Sequence, residues 1–146
     1  MEGERSLQGS LSARASVLSE LVSAQLDPVL EANGLNYGTF ELLSAAHAAD
    51  GKASQAELAR RLGITPPSLC EAVKGAMAKG LVEQRANKRD RRENRIQLTR
   101  KGGAALRKVL SALSATEERM TRGISTEQLD IAVRVLGDAA HNLAND

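Results

Sequence analysis

A chain of 146 residues with 42% hydrophobic side chains suffices for one compact domain with helical extensions. Tyr37 and Phe40 are its only aromatic residues, too few to stack unpaired bases, and a lone Cys70 excludes an intramolecular disulfide. The net charge of +2 conceals an asymmetry: Leu81 to Lys108 holds ten Lys or Arg against three acids, so this stretch carries +7 and the remainder −5. A basic patch on an otherwise acidic chain suits a localised polyanion site better than general stickiness. No apolar run approaches a membrane span and the N-terminus lacks the apolar core of a signal peptide, so a cytoplasmic protein without membrane contact is expected.

Residues 1–9 are polar, contain two glycines, and are expected to be loose. A first helix is predicted over 10–31, with Leu11, Leu18, Leu21, Val22, Leu26, Val29 and Leu30 in one stripe. Pro28 predicts a kink or break near Asp27. Asn36 suits the N-cap of a second helix, stapled by Leu35 and Phe40 and ending near Asp50-Gly51. Ser54 and Glu57 form a capping box for a third helix that runs to Leu62 and stops at Gly63. Thr65 caps a fourth helix, in which Pro66 and Pro67 leave the Ser68 N–H as partner for the Thr65 hydroxyl; Gly80 closes it.

Strands Leu81–Ala86 and Asn94–Leu98 flank a basic loop, with Ile96 and Leu98 packing inward. Thr99 caps a fifth helix, where Leu106, Val109, Leu110 and Leu113 share a face. Ser125 and Gln128 form a second capping box, with Ile124 and Leu129 as its staple. The last helix carries Leu129, Val133, Leu136, Ala140 and Leu143 at helical spacing. The apolar faces of the first and last helices need a partner, and a helical interface between two subunits supplies one.

Two short helices followed by a charged hairpin describe a winged helix-turn-helix, mainly α with a small β wing, and imply binding of duplex DNA. The segment Glu57–Ile64, the run Ala78-Lys79-Gly80-Leu81-Val82, and Asp90, Arg92, Leu98 and Thr99 with Lys101-Gly102 after them resemble the MarR family of bacterial transcriptional regulators over about residues 35–108. The resemblance implies a homodimer on a pseudo-palindromic operator, usually a repressor, often with a small-molecule effector crevice. One MarR-like domain would then span 1–146, with a DNA-binding lobe at 35–103 between dimerisation helices at 10–34 and 104–146.

In this reading the fourth helix enters the major groove, with Thr65, Pro66, Ser68, Cys70 and Glu71 as candidates for base or phosphate contact. Glu71 either accepts from a cytosine amine or pairs with Lys74 three residues on. Ser54 and Gln55 are placed for phosphate at a helix N-terminus. Arg92 matches the Arg of the family's D-x-R and suits a narrow minor groove; Asp90 would buttress the loop, with Lys88, Arg89 and Arg91 on phosphates.

Tyr37 and Phe40 with Leu26 and Leu30 are the candidate lining of an effector pocket. In thiol-based members of the family the reactive Cys is usually in the first helix, which here has none; an oxidant-responsive Cys70 is the alternative. His47 and His141 have no metal-ligand spacing, no cofactor is implied, and no nucleophile–base pair or phosphate loop suggests an enzyme. A winged-helix module that binds protein predicts an uncharged wing, against the five basic residues from Lys88 to Arg95.

Overall fold

The computed structural model describes residues 9–90 and 93–145. The chain forms α1 (Leu11–Ala32), α2 (Tyr37–Ala48), α3 (Gln55–Leu62), α4 (Pro66–Ala78), β1 (Val82–Ala86), β2 (Asn94–Leu98), α5 (Arg100–Met120) and α6 (Thr126–Ala144). Two compact units divide within α5, the first ending at Leu113 and the second starting at Ser114. None of the described helices is long and apolar enough to cross a membrane.

Short polar side chains start these helices by satisfying backbone N–H groups that the first turn leaves without partners. Asn36 Oδ1 accepts from Thr39 N–H at 2.8 Å. Ser54 Oγ accepts from Glu57 N–H at 3.2 Å while Glu57 Oε2 accepts from Ser54 N–H at 2.9 Å. The Ser125–Gln128 box is built the same way. Of the kink or break expected near Asp27, the break does not occur: α1 continues through Pro28. The missing N–H costs one helical hydrogen bond, but Leu26 and Leu30 are buried on either side of Pro28 and hold the helix together. Asn33 then secures the last turn by donating to the Val29 carbonyl at 2.7 Å.

The core lies in the first unit. Leu42 and Leu43 of α2, Leu58 of α3, Leu69 and Val73 of α4, Ile96 of β2 and Leu106 and Val109 of α5 are, with Leu81, its largest fully buried side chains. Antiparallel pairing sets Val82 opposite Leu98 and Gln84 opposite Ile96. Ile96 is therefore fully buried and Leu98 packs against the core, as the alternation predicts. The hairpin is also tied to the entry of α3. Ile96 N–H donates to the Ala53 carbonyl at 3.3 Å, and Ser54 pairs with Arg95 as an isolated bridge.

In the second unit no residue of α6 is buried, and Val133 and Leu143 are 70% and 85% exposed.

Between α4 and α5 the backbone crosses itself closely. Thr99 N–H donates to the Leu81 carbonyl at 3.0 Å, Thr99 Oγ1 donates to the Gly80 carbonyl at 2.6 Å, and Gly102 N–H donates to Thr99 Oγ1 at 3.0 Å. A Cβ on Gly102 would stand 1.9 Å from the Leu81 carbonyl oxygen, so only glycine permits this approach. Gly75 in α4 has nothing of its own chain within 4 Å of such a Cβ. Gly102→Ala is therefore expected to destabilise the fold by about 1–3 kcal/mol. Gly75→Ala, by contrast, should raise stability by about 0.5–1 kcal/mol through helix propensity. Urea denaturation of the two variants checks both signs; equal midpoints would dismiss the close approach as a constraint.

Candidate nucleic-acid interface

The turn between α3 and α4 is three residues long. Gly63 adopts a left-handed conformation (φ 64°) that ends α3, and Thr65 starts α4. Thr65 Oγ1 accepts from Ser68 N–H at 3.3 Å and donates to Ser68 Oγ at 2.9 Å, so these two exposed candidates are held as a pair. Pro66 and Pro67 fill N1 and N2, where an N–H would have no helical partner.

Burial orients α4. Leu69, Val73 and Ala76 face the core, which turns Pro67, Glu71 and Ala78 outward at 100° per residue. Cys70 is half-buried on the flank. Glu71 and Lys74 form an exposed ion pair at 3.3 Å. The Glu71 carboxylate, through its hydrogen bond and its charge, holds the Lys74 ammonium above its ordinary pKa. A pair this open to solvent contributes little to stability.

The wing loop is organised by Asn87, which the sequence reading did not single out. Its side chain is buried, donates to Glu93 Oε2 at 3.2 Å and accepts from Arg89 N–H at 3.1 Å. Its backbone N–H donates to the Glu93 carbonyl at 3.0 Å, and Glu93 N–H donates to the Asp90 carbonyl at 3.2 Å. An Asn at the start of a polar loop was the available signal, because its amide readily bonds the backbone two residues on. Lys88, Arg89 and Asp90 are exposed on this frame. Arg91 and Arg92 lie outside the described residues. Arg85, on β1, is paired with Glu83 at 2.8 Å.

Ser54 is buried and occupied by its capping box and its bridge to Arg95, while Gln55 lines an open recess with Ser54, Ala56, Glu93 and Asn94. The recess joins the N-terminus of α3 to the start of β2, two segments that only the tertiary fold brings together.

The four candidate effector residues are dispersed in environment. Leu30 belongs to the core, Leu26 is buried, Phe40 packs against the core, and Tyr37 is 63% exposed, its ring 6.2 Å from that of Phe40. A separate cleft of about 320 Å³ lies where α2, α3 and α4 meet. Asn36, Thr39, Glu41, Ile64, Glu71 and Lys79 are among its lining, and none of the four is. Among the described residues no three of His, Cys, Asp and Glu are grouped to hold a metal ion.

A model of the MarR family matches residues 33–93, the stretch from the end of α1 through the wing loop. Over that stretch the chain matches the MarR family, and its fold is a winged helix. Solved structures share the fold over nearly the whole length. A Staphylococcus aureus MepR–DNA complex is similar at a TM-score of 0.79 and 19% identity, covering 94% of this chain and 99% of that one. The transcriptional repressor CouR on a 23-mer DNA duplex gives 0.75 at 22% identity, with 96% and 99% covered. CouR from Rhodococcus jostii bound to p-coumaroyl-CoA gives 0.73 at 21% identity, with 97% and 96% covered. At these identities the likeness is one of fold.

The Asn87 network makes a direct prediction. In Asn87→Ala the Arg89 amide loses its acceptor, so its hydrogen exchange should accelerate at least roughly tenfold while α4 amides keep their protection. Unchanged exchange at Arg89, read by NMR, would remove Asn87 as the organiser of the loop.

Proposed function

We propose that this chain is a MarR-family transcriptional regulator that binds double-stranded DNA in a sequence-specific manner, as a homodimeric repressor on a pseudo-palindromic operator. The observation that carries the reading is the outward ridge of α4, set opposite the core, together with a basic wing loop braced by Asn87. A helix of this kind fits the major groove, and a flanking loop with Lys88 and Arg89 suits phosphates. MepR and CouR, which share the fold, are described on DNA.

In this reading Thr65, Pro66 and Ser68 approach the groove at the N-terminal turn of α4, with Cys70, Glu71 and Lys74 following, and Ser54 and Gln55 approach a phosphate. Asp90 shapes the loop, Arg91 supplies another phosphate contact, and Arg92 enters the minor groove. A second copy of the chain covers the apolar side chains that α6 exposes, Val133, Leu136 and Leu143 among them. Release by a small molecule accompanies the proposal, supported by the description of CouR with p-coumaroyl-CoA. Candidate places for such a molecule are the neighbourhood of Leu26, Leu30, Tyr37 and Phe40 and the cleft beside α4.

The deciding experiment is a gel-shift titration against the DNA flanking the protein's own coding region, with excess nonspecific competitor. Specific retention with two chains per site is expected, weakening steeply as salt rises because bound cations are displaced from phosphates. Arg92→Ala should weaken this binding without lowering the melting temperature. Failure to retain any duplex at low salt would discard the DNA-binding reading in favour of a protein-interaction module.

A further inference from the structure

The outward ridge of α4 has an unusual inventory for a helix that enters a polyanion's groove. Pro67 and Ala78 carry no hydrogen-bonding side-chain group, and Gly75 carries no side chain. Ser68, Glu71 and Lys74 remain. Ser68 Oγ already accepts from Thr65, and a hydroxyl either donates or accepts, so it discriminates poorly between base edges. Glu71 lies almost diametrically opposite the buried stripe of Leu69, Val73 and Ala76, midway along the helix. The centre of the exposed ridge is therefore a carboxylate.

The fold gives this carboxylate no structural task. Among the described residues its ion pair is with Lys74, and the two side chains are 76% and 67% exposed, too open to matter for stability. Gly75, one turn further on, leaves open space beside it, which lets another surface come close. The cost of bringing a negative group among phosphates is offset locally, since the Lys74 ammonium sits 3.3 Å from the carboxylate and makes the pair neutral.

We propose that Glu71 is the main base-reading side chain of α4 and that it selects cytosine by accepting a hydrogen bond from the N4 amine in the major groove. An ionised carboxylate only accepts, and the major groove offers donors from cytosine N4 and adenine N6. Adenine sets its N7 acceptor beside N6, which repels the second carboxylate oxygen. Cytosine presents no such acceptor. The inference rests on the DNA-binding reading above and adds the base that α4 reads. Lys74 is a positioning residue that holds the carboxylate 3.3 Å from its ammonium.

The test is selection from a randomised duplex pool by the full-length protein, in parallel for the wild type, Glu71→Gln and Glu71→Ala. A glutamine amide both donates and accepts and so matches adenine N6 and N7. The wild-type pool should fix a cytosine at one position of each half-site. Glu71→Gln should replace it with adenine while the other positions stay the same, and competition binding should show the preference inverted by roughly fivefold or more. Glu71→Ala should lose selectivity at that position alone. Identical sites from wild type and Glu71→Gln would overturn the inference while leaving the DNA-binding reading intact. A lowered melting temperature in Glu71→Gln would assign the residue to the fold and overturn it too. If the wild type retains no duplex, both readings fall.

Discussion

The carbonyl of Leu81 is the point on which the winged-helix unit turns. It stands where the chain leaves α4 and enters the hairpin, accepts from Thr99 N–H, and lies against the Cα of Gly102. Thr99 Oγ1 reaches the Gly80 carbonyl, and Lys101 Nζ reaches the Lys79 carbonyl at 2.8 Å. The segments 78–82 and 98–102, which carry two of the family's sequence features, are thus each other's hydrogen-bonding partners. One holds the end of α4, the other the start of α5, and the wing is the loop they close. A side chain at position 102 would pry this crossing apart, and with it the angle between helix and hairpin.

That clasp permits a division of labour. α4 presents a ridge whose charged groups cancel, Glu71 against Lys74, and it is short of cations for holding phosphates. Positive charge instead gathers on the wing, where Asn87 bonds Arg89 N–H and Glu93 across the loop and keeps Lys88 and Arg89 on a fixed frame. Arg85 is spent on Glu83. In the proposed DNA-binding reading, attraction to a phosphate chain and discrimination among bases fall to different elements, held in register by the crossing at Leu81. Phosphate contacts position a protein without reading sequence, so in that reading a helix without net charge loses little attraction while keeping its selectivity.

Local chemistry was legible in the sequence and tertiary chemistry was not. Asn36, Ser54, Thr65 and Ser125 cap the helices they were expected to cap, because a cap depends on residues within one turn. Ile96 and Leu98 face inward because a strand alternates. Pro28 does not break α1: a missing N–H is visible in a sequence while the burial of Leu26 and Leu30 around it is not. The Ser54–Arg95 bridge joins positions far apart in sequence and leaves no local trace. The same holds for Lys79 Nζ donating to the Gly34 carbonyl at 3.1 Å. Of the candidate site, the alternative of a Glu71–Lys74 pair was readable from helical spacing; its exposure, which strips it of structural weight, needed the fold.

The second unit presents the converse problem. α6 has a complete capping box yet buries none of its residues, although Ile131, Val133, Leu136 and Leu143 give it an apolar surface. A box satisfies two backbone donors, worth about 1 kcal/mol, whereas most of a helix's stability in a protein comes from packing its apolar face. Helical order in α6 must therefore draw on burial against something beyond its own capping. In the homodimer proposed above that partner is a second chain, and folding of this unit and association of two chains become a single equilibrium. Its stability then rises with protein concentration by mass action, while the first unit, closed around Leu42, Leu58, Leu69 and Ile96, keeps a core of its own.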